Sequence, residues 1–258
     1  MRTVVVIPTY NERENILSLV ERCVALPLCL DLYFIDDGSP DGTGELLESL
    51  RSIYPCLRVV HRPGKLGLGS AYRQAFRLLL KESYDRYVAM DADLSHRPES
   101  IPDLLRASNE ADLVIGSRYC PGGTTKNWSA VRRLLSRTAN KVARGLLGLK
   151  VMDATAGFRC YRPELLAALD RLDIRSNGYS FQVEMTYYSE RMGFRVREEP
   201  ILFEERVQAT SKMSKSEITQ AMRIMYRLSR HRFLGRAGSR WIQSGSESVE
   251  VKDAKMRK

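Results

Sequence analysis

Three apolar runs of strand length, each ending in a polar or acidic cluster, constrain this chain more than any other feature in it. Val4 to Ile7 leads into Pro8-Thr9-Tyr10-Asn11-Glu12, Leu32 to Ile35 into Asp36-Asp37-Gly38-Ser39, and Tyr87 to Met90 into Asp91-Ala92-Asp93. Continuous β-branched and aliphatic runs of this length suit strands buried on both faces, as in a parallel sheet. Between them lie helix signals. Capping and acidic residues from Asn11 to Glu14 open a helix reaching about Leu26, and the turn residues Asp37 to Gly42 precede another from about Thr43 to Ser52. Leu57 to His61 is a further strand, Gly64 to Gly69 opens a helix to about Lys81, and Leu113 to Gly116 is strand again. Alternation at this pace predicts an α/β fold with a mostly parallel sheet flanked by helices. Ligands of open α/β sheets bind beyond the carboxyl ends of the strands, so the three clusters are expected on one rim.

The rhythm changes after Tyr119. Pro121 to Thr125 reads as a mobile loop, followed by a basic helix from about Ser129 to Leu147. A helix near Phe181 to Met192, a short strand near Arg195 to Glu199, a Ser/Lys-rich stretch over 208–216 and an amphipathic helix from about Glu217 to His231 complete the pattern. Lys and Arg total 41 against 31 Asp and Glu, a net charge of +10 that favours an anionic partner such as nucleic acid, a phosphorylated ligand or an anionic bilayer. The cysteines Cys23, Cys29, Cys56, Cys120 and Cys160 show no zinc-type spacing and read as buried reduced thiols. Met1-Arg2 runs straight into the first strand without a secretory leader. No apolar window reaches the roughly 18 residues of a membrane span.

Asp91-Ala92-Asp93 is the sharpest of the three clusters. Two carboxylates one residue apart at the exit of a buried strand repel unless a cation lies between them. A hard divalent ion, Mg²⁺ or Mn²⁺, fits oxygen ligands of that kind and also binds a diphosphate. An Asp-x-Asp alone is weak, since Asp91 can equally cap a helix after Pro98. Asp36 or Asp37 can be turn formers, and Glu12 a first-turn helix charge. The shared register of the three ends is what favours a ligand site, with Tyr10 offering a stacking face and a buried Asp an acceptor for base or ribose.

The motifs Pro8-Thr9-Tyr10-Asn11-Glu12, Asp36-Asp37-Gly38-Ser39 and Asp91-Ala92-Asp93-Leu94-Ser95-His96 resemble the signature of family 2 glycosyltransferases with the GT-A, Rossmann-like fold. Gly116-Ser117-Arg118-Tyr119, Ser136-Arg137 with Asn140, Asp153-x-Thr155-x-Gly157-Phe158-Arg159 and Gly178-Tyr179-x-Phe181-Gln182-x-Glu184 are similar to the polyprenol (dolichol) phosphate mannose synthase group, in its compact members without transmembrane helices. The likeness runs from Thr3 to about Lys212. It implies a catalytic domain over 1–216; residue pattern and composition add an amphipathic helix over 217–234, read as membrane-interfacial or core, and a polar, charged tail over 235–258 expected to be disordered. It also implies a GDP-mannose donor held by Pro8, Tyr10, Glu12, Ile35, Asp37 and Ala92, with Asp91 and Asp93 managing metal and diphosphate. Ser95 stands where some relatives carry Gln and would be a weaker metal ligand, a water completing the shell. Arg118, with Arg132 or Arg133, would receive the acceptor phosphate, while Arg206 and Lys212 would close on the donor phosphates. The acceptor implied is a polyprenyl phosphate, reached at the cytoplasmic face of a membrane directly or through a small membrane-embedded partner subunit.

Physical chemistry agrees with that assignment. Divalent charge, Arg and Lys stabilise a leaving diphosphate. A lipid phosphate has a second pKa near about 6 and needs no base to attack. Direct displacement inverts the anomeric centre. A nucleic-acid-binding module accounts for the net charge but leaves three acidic strand ends to repel a phosphate backbone. A non-catalytic subunit would have no need to retain every motif carboxylate. Transfer from a UDP-sugar, giving polyprenyl-phosphate glucose, is the alternative within enzymes. Gly64-Lys65-Leu66-Gly67-Leu68-Gly69 lacks the G-x-G-x-x-G spacing of a dinucleotide site and reads as a helix-opening turn. Projected at about 100° per residue, the last helix gathers Ile218, Ala221, Met222, Ile224, Met225 and Leu228 on one face and Arg223, Arg227 and Arg230 on the other. That face suits a bilayer interface or the domain core equally.

Overall fold

The computed structural model describes residues 1–174, 176–204 and 215–234. Its strands are β1 (Thr3–Thr9), β2 (Leu30–Asp36), β3 (Leu57–His61), β4 (Arg86–Ala89), β5 (Leu113–Ser117), β6 (Thr124–Lys126), β7 (Arg159–Tyr161), β8 (Val196–Pro200) and β9 (Leu202–Glu204). The α-helices are α1 (Arg13–Val24), α2 (Thr43–Arg51), α3 (Leu68–Leu79), α4 (Ile101–Ala107), α5 (Ala130–Leu147), α6 (Pro163–Asp170), α7 (Gly178–Arg191) and α8 (Lys215–Leu234). Seven strands form one sheet in the order β3-β2-β1-β4-β7-β5-β8. All neighbours in it are parallel except β7, which runs antiparallel to both β4 and β5. The parallel α/β expectation holds, and β7 is the element that periodicity could not supply, being three residues long.

Strand pleating divides the core in two. Val5 and Ile7 with Leu32 and Phe34 pack against Ile16 and Leu19 of α1, Leu47 of α2 and Leu104 of α4. Val4 and Val6 with Tyr33 and Ile35 pack against Tyr72 and Phe76 of α3, Leu165 of α6 and Phe181 of α7. The runs read as continuously apolar because both faces are covered. Strand order reverses beside β1, whose successor β2 lies on one side and β4 on the other, so the crevice of a doubly wound sheet opens where β2, β1 and β4 end.

One sequence reading needs correction and a second is narrowed. The segment expected as a mobile loop contains β6, which pairs in parallel with β9 and is closed by Lys126 Nζ to Glu204 Oε1 at 2.6 Å. Gly123 makes this path possible, since a Cβ there would stand 2.4 Å from the Ser117 carbonyl oxygen. The second concerns α8, whose apolar face the sequence leaves equally to bilayer or core: part of it packs on the core, while Met222 stays 63% exposed. Leu228 is fully buried, Ile224 nearly so, and Met225 packs on the same cluster. Arg227 donates to the fully buried Glu184 of α7. α5 and α7 leave an apolar seam, and filling it with a Leu or Ile gains about 1.5–3 kcal/mol per side chain; a bilayer would have to compete with that. Cys23, Cys120 and Cys160 are buried thiols as expected, whereas Cys29 is exposed and Cys56 half-buried. Among the described residues, no helix is long and apolar enough to cross a membrane.

Candidate active site

The exits of β2, β1 and β4 bring the three sequence clusters to one edge. At the end of β2 the two aspartates divide the work. Asp36 Oδ1 accepts from Thr9 Oγ1 at 3.3 Å and from Ser39 Oγ, and Oδ2 accepts from Ser39 N at 3.2 Å, so Asp36 shapes the turn. Asp37 faces the start of α3, where its Oδ2 accepts from Leu66 N at 3.0 Å and Gly67 N at 3.2 Å. The Gly-rich stretch therefore orients a carboxylate with its own backbone. Arg62 Nε lies 3.2 Å from Asp37 Oδ1, yet neither atom has a well-directed hydrogen bond, and both are buried. Buried polar atoms left unmatched in this way suit a site completed by a ligand. The sequence reading missed Arg62; its position one residue past β3, level with Asp37, was the available signal.

Glu12 is buried, accepts from Asn15 Nδ2 at 2.8 Å and, through its backbone N–H, donates to Thr43 Oγ1 at 3.0 Å. Tyr10 is half-buried with Lys65 Nζ 4.3 Å from its ring centroid, so one ring face is engaged by a cation. Ile35, expected at the nucleoside, is a core side chain opposite half-buried Pro8, and the rim sees it through its carbonyl, to which Thr9 Oγ1 donates at 3.4 Å.

At the β4 exit, Asp91 keeps 34% of its side chain exposed. Its backbone N–H donates to His96 Nδ1 at 3.2 Å, and a carboxylate oxygen of Asp91 lies 3.6 Å from the same nitrogen. His96 is held by stacking on Phe158, ring centroids 5.1 Å apart. Leu94 adopts a left-handed φ of 61°, which folds the chain back so that Ser95 N donates to Asp93 Oδ1 at 3.0 Å and Ser95 Oγ reaches the same oxygen. Ser95 is buried, and its hydroxyl proton is used to orient Asp93. Ala92, between the two carboxylates, is buried. Beneath them, burial and then the charge of Asp91 raise the Tyr72 phenol pKa well above its ordinary value. Gly157 keeps space beside Asp91: a Cβ there would meet both carboxylate oxygens at 3.3 and 3.4 Å. Among the described residues, no three His, Cys, Asp or Glu side chains gather into a closed metal cage. Two carboxylates with room beside them could hold a hard divalent ion such as Mg²⁺ or Mn²⁺, in a site left open to other oxygen ligands.

Arg118, one residue past β5, is anchored on Asp153 and Thr155. Its Nε and Nη2 bind Asp153 Oδ2 and Oδ1 at 2.7 and 2.6 Å, its backbone N–H adds a third bond at 3.0 Å, and Nη2 also reaches Thr155 Oγ1 at 2.8 Å. Burial pushes the Asp153 carboxyl pKa up, but the adjacent guanidinium outweighs it and holds the group below the ordinary carboxylate range. Asn140 of α5 donates to Thr155 Oγ1 at 3.0 Å and ties the helix to the pair. Arg132 lies 4.4 Å above the Trp128 ring, and Arg133 Nη2 donates to the Trp128 carbonyl at 3.2 Å. β9 joins the two halves: Phe203 packs edge-on against His96 at 5.3 Å and Trp128 at 5.4 Å, and Glu204 N donates to Ser95 O at 3.2 Å. Arg206 and Lys212, expected over the donor phosphates, lie outside the described residues.

Comparison with known proteins agrees with this geometry. The family model described as glycosyl transferase family 2 matches residues 4–169. Polyprenol monophosphomannose synthase of Mycolicibacterium smegmatis is 48% identical over 223 residues, covering 86% of this chain and 84% of its own. Undecaprenyl-phosphate mannosyltransferase of Micrococcus luteus is 46% identical over 223 residues, covering 86% and 91%. Among solved structures, glucosyl-3-phosphoglycerate synthase of Mycobacterium tuberculosis in complex with Mn²⁺, UDP-glucose and phosphoglyceric acid superposes with a TM-score of 0.62 at 21% identity, over 88% of this chain and 79% of that one. That likeness is one of fold.

Proposed function

The chain belongs to glycosyl transferase family 2, and from that premise we propose that it transfers mannose from GDP-mannose to a polyprenyl phosphate, with inversion, to give polyprenyl-phosphate β-mannose. The observation that carries this reading is the bridge made by β9. It sets an acidic rim able to bind a metal diphosphate beside a cationic, aromatic wall suited to a second anion. The curated relatives' names, both of mannosyl transfer to a polyprenyl lipid, support the choice of sugar and acceptor.

In this reading Asp37, Tyr10, Glu12 and the backbone around Pro8 and Ile35 hold the nucleoside. Asp91 and Asp93 would hold Mg²⁺ or Mn²⁺, with Ser95 keeping Asp93 in its rotamer. When bound, the ion supplies Lewis-acid screening of the leaving diphosphate. Arg206 and Lys212 add positive charge to the same leaving group. Arg132 and Arg133 receive the acceptor phosphate, and Arg118, neutralised by Asp153, fixes the floor on which they stand. No residue has to remove a proton, because a phosphate monoester is largely dianionic at neutral pH. The protein's task is to bring two anions together and screen their repulsion.

The test is product separation by thin-layer chromatography after incubation with polyprenyl phosphate and labelled GDP-mannose, UDP-glucose or UDP-N-acetylglucosamine. A lipid-linked product from GDP-mannose alone, lost in excess EDTA, is expected. Product from UDP-glucose in its place overturns the donor assignment, and full activity in EDTA overturns the metal.

A further inference from the structure

Outside the site, the least expected feature is an apolar face of α5 that the protein leaves uncovered. Val131, Leu134 and Leu135 keep 68, 66 and 65% of their surface exposed, and Val142 and Leu146 keep 44 and 45%. At about 100° per residue these five fall within an arc of about 120°. The helix cannot roll to hide them, because Asn140, Ala143 and Leu147 on the opposite side are buried and Ser129 caps its first turn. α5 carries no acidic residue, and exposed Arg137 and Lys141 border the apolar arc on one side with Arg132 on the other. A face with cations along both edges and none within it matches a helix lying at a bilayer interface, aliphatic side chains in the acyl boundary and long cationic ones reaching to headgroups.

We propose that this face of α5 rests on an anionic bilayer. Leu134 and Leu135 enter the acyl boundary and Arg137 and Lys141 meet lipid phosphates. The charge argues for lipid over protein: a helix with cations and no acids complements an anionic surface, and the chain's net charge of +10 has the same sense. The inference rests on the polyprenyl-phosphate reading for its purpose, since the first turn of α5 carries Arg132 and Arg133 and a docked α5 would hold the acceptor wall against the membrane. α8 then acts as a brace, packed behind α5 with Arg232 Nη1 donating to the Gly145 and Leu146 carbonyls at 3.1 and 2.9 Å.

The experiment uses the full chain and vesicles of phosphatidylcholine with or without phosphatidylglycerol, free of polyprenyl phosphate. Wild type should sediment with the phosphatidylglycerol vesicles and be released by salt. L134S/L135S should weaken that binding at least about tenfold, with the melting temperature and mannosyl transfer to a short, water-soluble prenyl phosphate unchanged. R137Q/K141Q should weaken it less and flatten the salt dependence. Wild type that stays in the supernatant, or double variants that sediment as wild type does, overturn the proposal. A wild-type dimer in light scattering that L134S/L135S dissolves gives the face to a second copy and overturns it too. If vesicle binding and its loss are as expected but wild type mannosylates no prenyl phosphate, the docking face stands and the catalytic reading fails.

Discussion

The acidic rim and the cationic, aromatic wall are built on opposite principles. At the rim, three aspartates are held by backbone N–H and hydroxyl donors a few residues away or in the turn before α3: Asp36 by Ser39, Asp93 by Ser95, Asp37 by Leu66 and Gly67. The charges stay on the edge and keep capacity for a ligand. In the wall, charges are matched to one another across long stretches of sequence and buried. Arg118 meets Asp153, the loop before Asp153 is pinned by Glu198 through Asp153 N at 2.8 Å and Met152 N at 2.7 Å, and Arg159 is fully buried on the Ala154 and Ala156 carbonyls. The difference teaches where each half should fail. Damage to the rim removes chemistry from an intact fold, and damage to the wall removes stability.

The largest effect expected is at the rim. Asp93→Asn should lower kcat by about 10³-fold or more while urea denaturation stays within about 0.5 kcal/mol of wild type. Turnover within tenfold of wild type would break the comparison at its donor side. Next is Asp153→Asn, which leaves the Arg118 guanidinium buried without its counter-ion and should cost about 3–5 kcal/mol in urea denaturation. The sign with pH follows from the lowered Asp153 pKa. Its contribution is fully present above the unfolded carboxyl value of about 3.9 and lost as pH falls through the lower folded one. Stability measured from neutral pH downward should therefore show a shallower acid limb in Asp153→Asn. A variant that kept wild-type stability and lost only activity would make Asp153 part of the chemistry. Gly157→Ala is the finest probe, since a Cβ at 3.3 Å from Asp91 asks the carboxylate to shift by a few tenths of an ångström. The Mn²⁺ concentration giving half-maximal rate should rise about three- to tenfold at unchanged melting temperature; no rise would mean that the room beside Asp91 is not used.

The same division explains what could be read from the sequence. Val4 to Ile7, Leu32 to Ile35 and Tyr87 to Met90 declare buried strands because each is apolar on both pleats, and their polar ends declare a rim because parallel strands exit together. β7 and β9 are three residues long, shorter than any period can mark, and β7 carries Arg159 at its start, which argues against a core strand until its carbonyl partners are seen. Arg118 and Asp153 could be named from resemblance, but 35 residues separate them and nothing local pairs them. On α8 the helical period marked an apolar face, of which Ile224 and Leu228 are buried and Met222 is exposed. It could not say whether protein or lipid covers that face, and only the neighbouring α5 and α7 decide it.

The position of β7 also bears on how the chain acquires its shape. β4 and β5 share no backbone pairing; both pair with β7, with Val88 and Val114 each opposite Cys160. β1 with β2 and β2 with β3 pair across 27 and 25 residues, whereas β4 already returns to β1 across 83. β5 and β8 have nothing to attach to on that side until Arg159–Tyr161 slides between the two blocks, closing a loop of about seventy residues on the β4 side. Loop closure of that length sets a high entropic threshold before any ladder bond is gained. During synthesis β1 to β4 emerge before β7, so a sheet formed from them presents an open edge at β4 until Arg159–Tyr161 arrives. Insertion of that one short strand joins the two blocks of the sheet and brings the loop carrying Asp153 to Arg118.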